Sequence, residues 1–253
     1  MDSGKSMHDI CVLVTRPKHQ AGELCELIHK QGGKTIIFPT IEITDSPDKN
    51  KMINHIRNIT HFDIAIFVSA NAVHQVASYW PQKPLKLSIF AIGPGTAKAL
   101  SSYGISSYEI PKTFNSEGLL DLSSLKDIVG QKVVIFMGKD GRQLLSDTLS
   151  HRGAKVTTVI CYQRQCPKKR LSKSLDVNII VSTSSESLRN LLAMTDKHVL
   201  SWLLKTPLLV ISQNMLQTAK ELGFQKLIMA DNASNEAVLK ALQKWYSETQ
   251  NAL

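Results

Sequence analysis

The first half of the chain recurs in the second. Residues 12–32 (VLVTRPKHQAGELCELIHKQG) align with residues 133–153 (VVIFMGKDGRQLLSDTLSHRG) at an offset of 121. The turn VSANAV from Val68 matches TSSESL from Thr183 at an offset of 115. Residues 92–120 match residues 211–239 at an offset of 119 without a gap, so that Gly104 falls on Gly223, Glu117 on Glu236 and Leu120 on Leu239. Duplication on this scale predicts two similar lobes, with a ligand expected in the cleft between them. The 253 residues suit two modest domains. A hydrophobic content of 43% is enough for two cores.

Strand and helix signals alternate along both halves. Short β-rich runs at 10–15, 35–43 (broken by Pro39), 63–69, 87–92, 107–110, 133–137, 155–162, 178–181, 208–211 and 226–229 are separated by helical patterns at 21–30, 71–79, 96–102, 116–125, 142–151, 187–194, 216–222 and 235–248. The run at 63–69 is continuously apolar, as a strand buried on both faces requires. The alternation predicts an α/β fold whose parallel sheets carry helices on both faces. Ligands bind such sheets beyond the carboxyl ends of the strands.

Eight Ser-, Thr- or Gly-bearing turns are expected at those ends, each just before a helix: 15–17, 69–71, 93–96, 115–117, 138–142, 182–185, 212–214 and 234–236. A helix N-terminus presents backbone N–H groups without intrahelical partners and the positive end of the macrodipole. Ordinary N-capping favours the same residues, so a single turn says little. The set as a whole suits a ligand with carboxylates spread over its periphery. Candidate contacts are Arg16, Ser69, Ala70, Asn71, Gly95, Thr96, Ser116, Gly138, Lys139, Arg142, Ser184, Ser185, Gln213 and Asn214. Arg16 follows a strand in a Thr-Arg-Pro turn, where a guanidinium can grip a carboxylate bidentately.

The formal net charge is +9, from 30 Lys and Arg against 21 Asp and Glu. Such a field attracts anions. Basic residues are scattered, and no zinc-finger spacing or aromatic-rich basic stretch accompanies them, so a small anionic ligand is expected and nucleic acid is not. The four cysteines form no CxxC pair, and buried, reduced thiols are expected. No histidine pattern has metal spacing, and neither a dinucleotide fingerprint nor a nucleophile elbow appears, so neither metal nor cofactor is indicated. Gly4-Lys5-Ser6 lacks the upstream strand and glycine of a phosphate loop. No apolar stretch is long enough to span a bilayer, and the N-terminus lacks the apolar core of a signal peptide. A cytoplasmic protein that does not meet the membrane is expected. Tyr162, closing the strand-like run at 155–162, is the one candidate proton donor; its repeat counterpart, Ile41, is apolar.

Taken in order, VLVTRP, Gln20 to Leu24, Phe38 to Ile43, Phe67 to Val73, Ala91 to Ala97, Ser116 to Leu120, Gly141-Arg142 with LSHRGA at 149–154, and Tyr162-Gln163-Arg164 resemble the uroporphyrinogen-III synthase family across nearly the whole chain. The resemblance implies that the first β-α-β unit joins the C-terminal half. Residues 1–38 and 167–253 would then form one lobe and 45–158 the other, joined by a two-stranded crossing ladder of 39–44 and 159–166. It implies a monomeric, cofactor-free hydro-lyase that closes hydroxymethylbilane into uroporphyrinogen III with loss of water and inversion of ring D. It makes Tyr162 the candidate acid and the preceding pathway enzyme a candidate partner. The chain departs from the family pattern at Met137, where arginine is usual, and at Ser212-Gln213-Asn214-Met215, where Gly-Pro-x-Thr is usual. A non-catalytic two-lobed α/β binding protein for an anionic small molecule is the alternative.

Overall fold

A computed structural model describes residues 7–81 and 86–250. Gly4-Lys5-Ser6 lies outside the described residues. In chain order the strands are β1 (Cys11–Val14), β2 (Lys34–Ile37), β3 (Glu42–Asp45), β4 (Ile64–Phe67), β5 (Ser88–Ala91), β6 (Lys132–Gly138), β7 (Lys155–Gln165), β8 (Ile179–Val181), β9 (Leu208–Val210) and β10 (Leu227–Met229). The helices are α1 (Lys18–Lys30), α2 (Lys49–Arg57), α3 (Ala70–Ala77), α4 (Pro94–Ser102), α5 (Ser116–Asp121), α6 (Leu144–His151), α7 (Ser185–Ala193), α8 (Leu200–Lys205), α9 (Gln213–Glu221) and α10 (Asn235–Gln250). They divide into two compact units, Met1–Glu42 with Gln165–Leu253, and Ile43–Arg164.

Two five-stranded sheets result, ordered β10-β9-β8-β1-β2 and β3-β7-β6-β4-β5. Strand for strand, β9-β8-β1-β2 of the first matches β5-β4-β6-β7 of the second, which is the duplication in three dimensions. Every pairing within these two sets is parallel. At the outer edge of β7, the Ser46 hydroxyl just past β3 donates to the Ile160 carbonyl at 2.7 Å, and Thr44 makes a longer contact, 3.5 Å, with the Gln163 carbonyl. These contacts descend β7 as the chain climbs β3, so the two segments run in opposite directions.

The strands are apolar on both sides because both sides are covered. In the unit of residues 43–164, one face of the sheet packs on Met52, Ile56, Ala72, Val73, Val76 and Leu100 from α2, α3 and α4. The other packs on Leu119, Leu120, Leu145 and Leu149 from α5 and α6. In the other unit, α1 and α10 supply Leu24, Ile28, Val238 and Leu242 to one face, while α7, α8 and α9 supply Leu188, Leu191, Leu203, Met215 and Ala219 to the other. Two helices arise where no helical pattern was expected. α2 (KNKMINHIR) buries only Met52 and Ile56, too few to mark a stripe against its polar residues. α8 (LSWLLK) is a six-residue helix that buries Leu203 alone. The expected strand at 107–110 reduces to a single bridge between Phe90 and Glu109. Among the described residues no helix is long and apolar enough to cross a membrane.

Where the chain leaves the first unit, three buried hydroxyls meet. Ser187 Oγ lies 2.8 Å from Thr15 Oγ1 and 2.7 Å from Thr40 Oγ1, which ties the start of α7 to the end of β1 and to the segment before β3. All three residues are almost inaccessible to solvent. A buried hydroxyl left without its partner costs about 1–3 kcal/mol. Ser187→Ala is therefore expected to destabilise this unit by about 1–3 kcal/mol in urea unfolding. Fluorescence should be followed in a Trp80→Phe background, where Trp202 and Trp245 report on this unit alone. An unchanged midpoint and slope would contradict the network's role.

Candidate active site

Strands β4, β6 and β7 end side by side, and the residues that follow them enclose a cavity of about 590 Å³ within the unit of residues 43–164. Its shape depends on an irregularity in β7. The parallel register runs Phe136 to Val159 and Met137 to Ile160, then jumps so that Gly138 faces Tyr162. Cys161 is the extra residue, a β-bulge of the kind enriched beside active sites. Side chains in a regular strand alternate between faces. Here Ile160 goes to one face of the sheet, while Cys161 and Tyr162, though consecutive, both join the core on the other. The bulge thus turns the tyrosine toward α3 rather than α6.

Two close approaches hold the ring in place. A methyl group on Gly138 would stand 2.7 Å from Tyr162 Cζ, so only glycine leaves room for the ring against β6. The Lys139 N–H donates to the Tyr162 carbonyl at 2.9 Å. The ring is almost wholly buried, and its hydroxyl accepts from Ser69 Oγ at 3.1 Å. Ser69 itself caps α3, accepting from the Ala72 N–H at 3.1 Å. On the far side of the cavity, Asn115 caps α5 through the Gly118 N–H at 2.7 Å. Gly118 is required there too, since a methyl group would meet the Thr113 carbonyl oxygen at 2.0 Å.

The cavity has an apolar wall and a polar rim. Val68, Ile92, Phe114, Ile135, Met137 and Leu145 make the wall. Phe114 is 58% exposed, a costly placement for a phenylalanine unless something covers it. Lys139, Arg142 and Arg164 stand at the rim with Glu117 and Asp140. Arg142 pairs with Glu117 at 3.2 Å, and both side chains are more than half exposed, so the pair is weak and readily exchanged for another carboxylate. Met137 is buried with its thioether under Gly141, and contributes to the wall rather than to the rim.

Of the residues expected from sequence, Ser69, Ser116, Gly138, Lys139, Arg142 and Tyr162 line this one cavity. Ala70 and Asn71 continue from Ser69 into the first turn of α3, and Gly95 and Thr96 sit in the first turn of α4; none of these four is a lining residue. Arg16, Ser184, Ser185, Gln213 and Asn214 belong to the other unit. There the Arg16 guanidinium donates to Asn235 Oδ1 at 2.5 Å and to the Ala233 carbonyl at 3.2 Å. Burial pulls its pKa below the ordinary arginine value, partly offset by Cys25 and Glu23. Ser184 caps α7 through the Ser187 N–H at 3.0 Å, and Ser185 Oγ lies 3.3 Å from Thr218 Oγ1. Gln213 and Asn214 are exposed in the first turn of α9. Among the described residues no cluster of His, Cys, Asp and Glu could hold a metal ion. Sequence reasoning missed Phe114 and Arg164 as lining residues. Arg164 carried a signal, its place two residues beyond Tyr162; Phe114, in a loop with no periodicity, carried none.

A family model described as uroporphyrinogen-III synthase HemD matches residues 22–240. The chain belongs to that family. It is 34% identical over 247 residues to the uroporphyrinogen-III synthase of Escherichia coli K12, covering 92% of this chain and 99% of that one. A relative of the same description from Synechococcus elongatus is 25% identical over 256 residues, covering 94% and 96%. Among solved structures, a mutant uroporphyrinogen III synthase from Thermus thermophilus superposes with a TM-score of 0.60 at 17% identity, covering 93% of this chain and 99% of that one. The Helicobacter pylori uroporphyrinogen-III synthetase superposes with a TM-score of 0.58 at 15% identity, covering 92% and 98%. At such identities the structures speak for the family fold alone, the two-lobed α/β architecture expected from the sequence.

The bulge has a chemical signature. Burial pushes the Cys161 thiol up to about 12, with a smaller opposing effect from a hydrogen bond to the Met137 backbone. At pH 8 only about one Cys161 in ten thousand is then thiolate, the form that reacts. Cys166, five residues on, is exposed. Iodoacetamide at pH 8 should therefore modify Cys166 in the native protein and Cys161 only after denaturation, as read by peptide mass mapping. Comparable native labelling of both would contradict the inward placement of Cys161.

Proposed function

We propose that this chain is a uroporphyrinogen-III synthase, a cofactor-free hydro-lyase that closes hydroxymethylbilane into uroporphyrinogen III. The observation that carries the reading is the meeting of the Tyr162 hydroxyl, an apolar wall and a cationic rim in one cavity, in a member of this family. A pyrrole is flat and apolar, and its acetate and propionate arms are anionic. Val68, Ile92 and Phe114 suit the ring, and Lys139, Arg142 and Arg164 suit the arms. The net charge of +9 favours capture of a substrate with eight carboxylates.

Tyr162 acts as the general acid in this reading. Its proton passes to the terminal hydroxyl as the C–O bond breaks and the bonding pair leaves with oxygen. Water departs, the pyrrole nitrogen delocalises the cation left behind, and Tyr162 becomes phenolate. The cation closes on the substituted α-carbon of ring D, giving a spiro intermediate; the bond from that carbon to the ring C methylene then breaks, and the methylene re-bonds to the unsubstituted α-carbon of ring D, which inverts the ring. Loss of a proton from ring carbon to the phenolate restores the aromatic pyrrole and the tyrosine, so one water is the only by-product. The cation is reactive enough to close without inversion. The protein's larger task is to hold the chain so that attack at the substituted carbon is the faster route.

General-acid catalysis contributes about 10²–10⁴ in rate. With freshly generated hydroxymethylbilane, the protein is expected to yield the type III isomer. Tyr162→Phe should turn over about 10²–10⁴ times more slowly while keeping its circular dichroism and unfolding midpoint. Formation of the type I isomer alone would sink the activity; full turnover by Tyr162→Phe would remove the tyrosine from the chemistry.

A further inference from the structure

The partners of Ser69 give it a role that its position in the cavity lining does not reveal. Its Oγ makes two hydrogen bonds of opposite sense: it accepts from the Ala72 N–H at 3.1 Å and donates to Tyr162 Oη at 3.1 Å. The serine's one proton is thereby committed to the tyrosine oxygen. Tyr162 Oη receives that bond, so its own proton remains to be given elsewhere, and Tyr162, like Ser69, lines the cavity. The result is a directed chain from the amide at the start of α3, through Ser69, to Tyr162. Each bond polarises the next in the same sense.

We infer that Ser69 is a positioning residue for the proton donor. It aims the tyrosine's proton into the cavity and stabilises the phenolate left when that proton departs. The inference rests on the reading of Tyr162 as general acid. When Tyr162 gives its proton to the leaving hydroxyl, charge develops on Oη, and the Ser69 O–H already points at it. A hydrogen bond to a charged oxygen is roughly twice as strong as one to a neutral oxygen. The gain therefore appears in the transition state, where it accelerates the chemical step, and not in substrate binding. Behind Ser69 stands the N-terminal end of α3, whose macrodipole favours negative charge nearby. The geometry also restrains the ring: the absence of a side chain at Gly138 makes room for it, and Ser69 bonds its oxygen.

Capping α3 is a structural task, and the test must separate it from the catalytic one. Ser69→Asp retains an acceptor for the Ala72 N–H but has no proton for Tyr162. Ser69→Thr retains both functions. Loss of one charge-assisted hydrogen bond corresponds to about a ten- to hundredfold fall in rate. In steady-state assays with hydroxymethylbilane, Ser69→Ala and Ser69→Asp should lower kcat by that factor with KM unchanged, and Ser69→Thr should restore kcat to within about threefold. In a Tyr162→Phe background the same three changes at Ser69 should alter kcat by less than about twofold, because the oxygen they serve is gone.

Undiminished kcat in Ser69→Asp overturns the inference, as does a loss confined to KM. So does a full loss on Ser69→Ala added on top of Tyr162→Phe, since that makes the serine independent of the tyrosine. A Tyr162→Phe enzyme with wild-type turnover overturns the general-acid reading itself, and this inference with it. A slow Tyr162→Phe enzyme with additive Ser69 effects overturns the inference alone.

Discussion

In a parallel sheet all strands run one way, so every carboxyl end arrives at the same edge. Helices packed on both faces leave that edge as the place where backbone amides, loop side chains and space coincide. In the unit of residues 43–164 the edge is made by β4, β6 and β7, and there Tyr162 meets both Ser69 and Gly138. The rest of the site is built outward from this. The loop after β6 contributes Lys139 and Arg142, the loop before α5 contributes Phe114, and the first residue of α5 is Ser116. Neither the cavity nor its charges would exist had the chain folded into an antiparallel sheet with alternating strand ends.

The duplication makes this edge twice, and the two copies have diverged. β8 and α7 repeat β4 and α3, including the capping serine: Ser184 stands for Ser69 and bonds the Ser187 N–H as Ser69 bonds that of Ala72. The position of Tyr162, however, is Ile41 in the other copy, where the chain is turning at Pro39 and Thr40 instead of continuing a strand. There the polar contacts turn inward, to the hydroxyl cluster of Thr15, Thr40 and Ser187. The edge of one unit thus carries a phenol beside a cavity, and that of the other a cluster of internally bonded hydroxyls.

Much of this was legible before the structure. The apolar runs IAIF, VVIFM, IIV and LLV became strands buried on both faces, because period and composition report burial directly. The Ser- and Asn-bearing turns became helix starts, because capping is a local property of a few residues. The site was legible only in part. Tyr162 stood out as a phenol at a strand end, but what points it at Ser69 is the extra residue Cys161, and a bulge leaves no mark on hydrophobic periodicity when its neighbours are all apolar. Phe114 was hidden for a related reason: its exposure is set by the loop around it, not by its own neighbours in sequence. The helices α2 and α8 were missed because each is held by one or two buried residues and by tertiary packing, which local propensity does not encode.

The central chemical claim is that the phenolic proton of Tyr162 moves to the leaving hydroxyl as the C–O bond of the substrate breaks. Fluorotyrosines placed at residue 162 alter the acidity of that phenol in graded steps while barely changing its size. The account predicts that log kcat for hydroxymethylbilane closure varies linearly with phenol acidity, with a Brønsted coefficient clearly above zero, at pH values where every analogue is protonated. A kcat that stays flat across the series would contradict it.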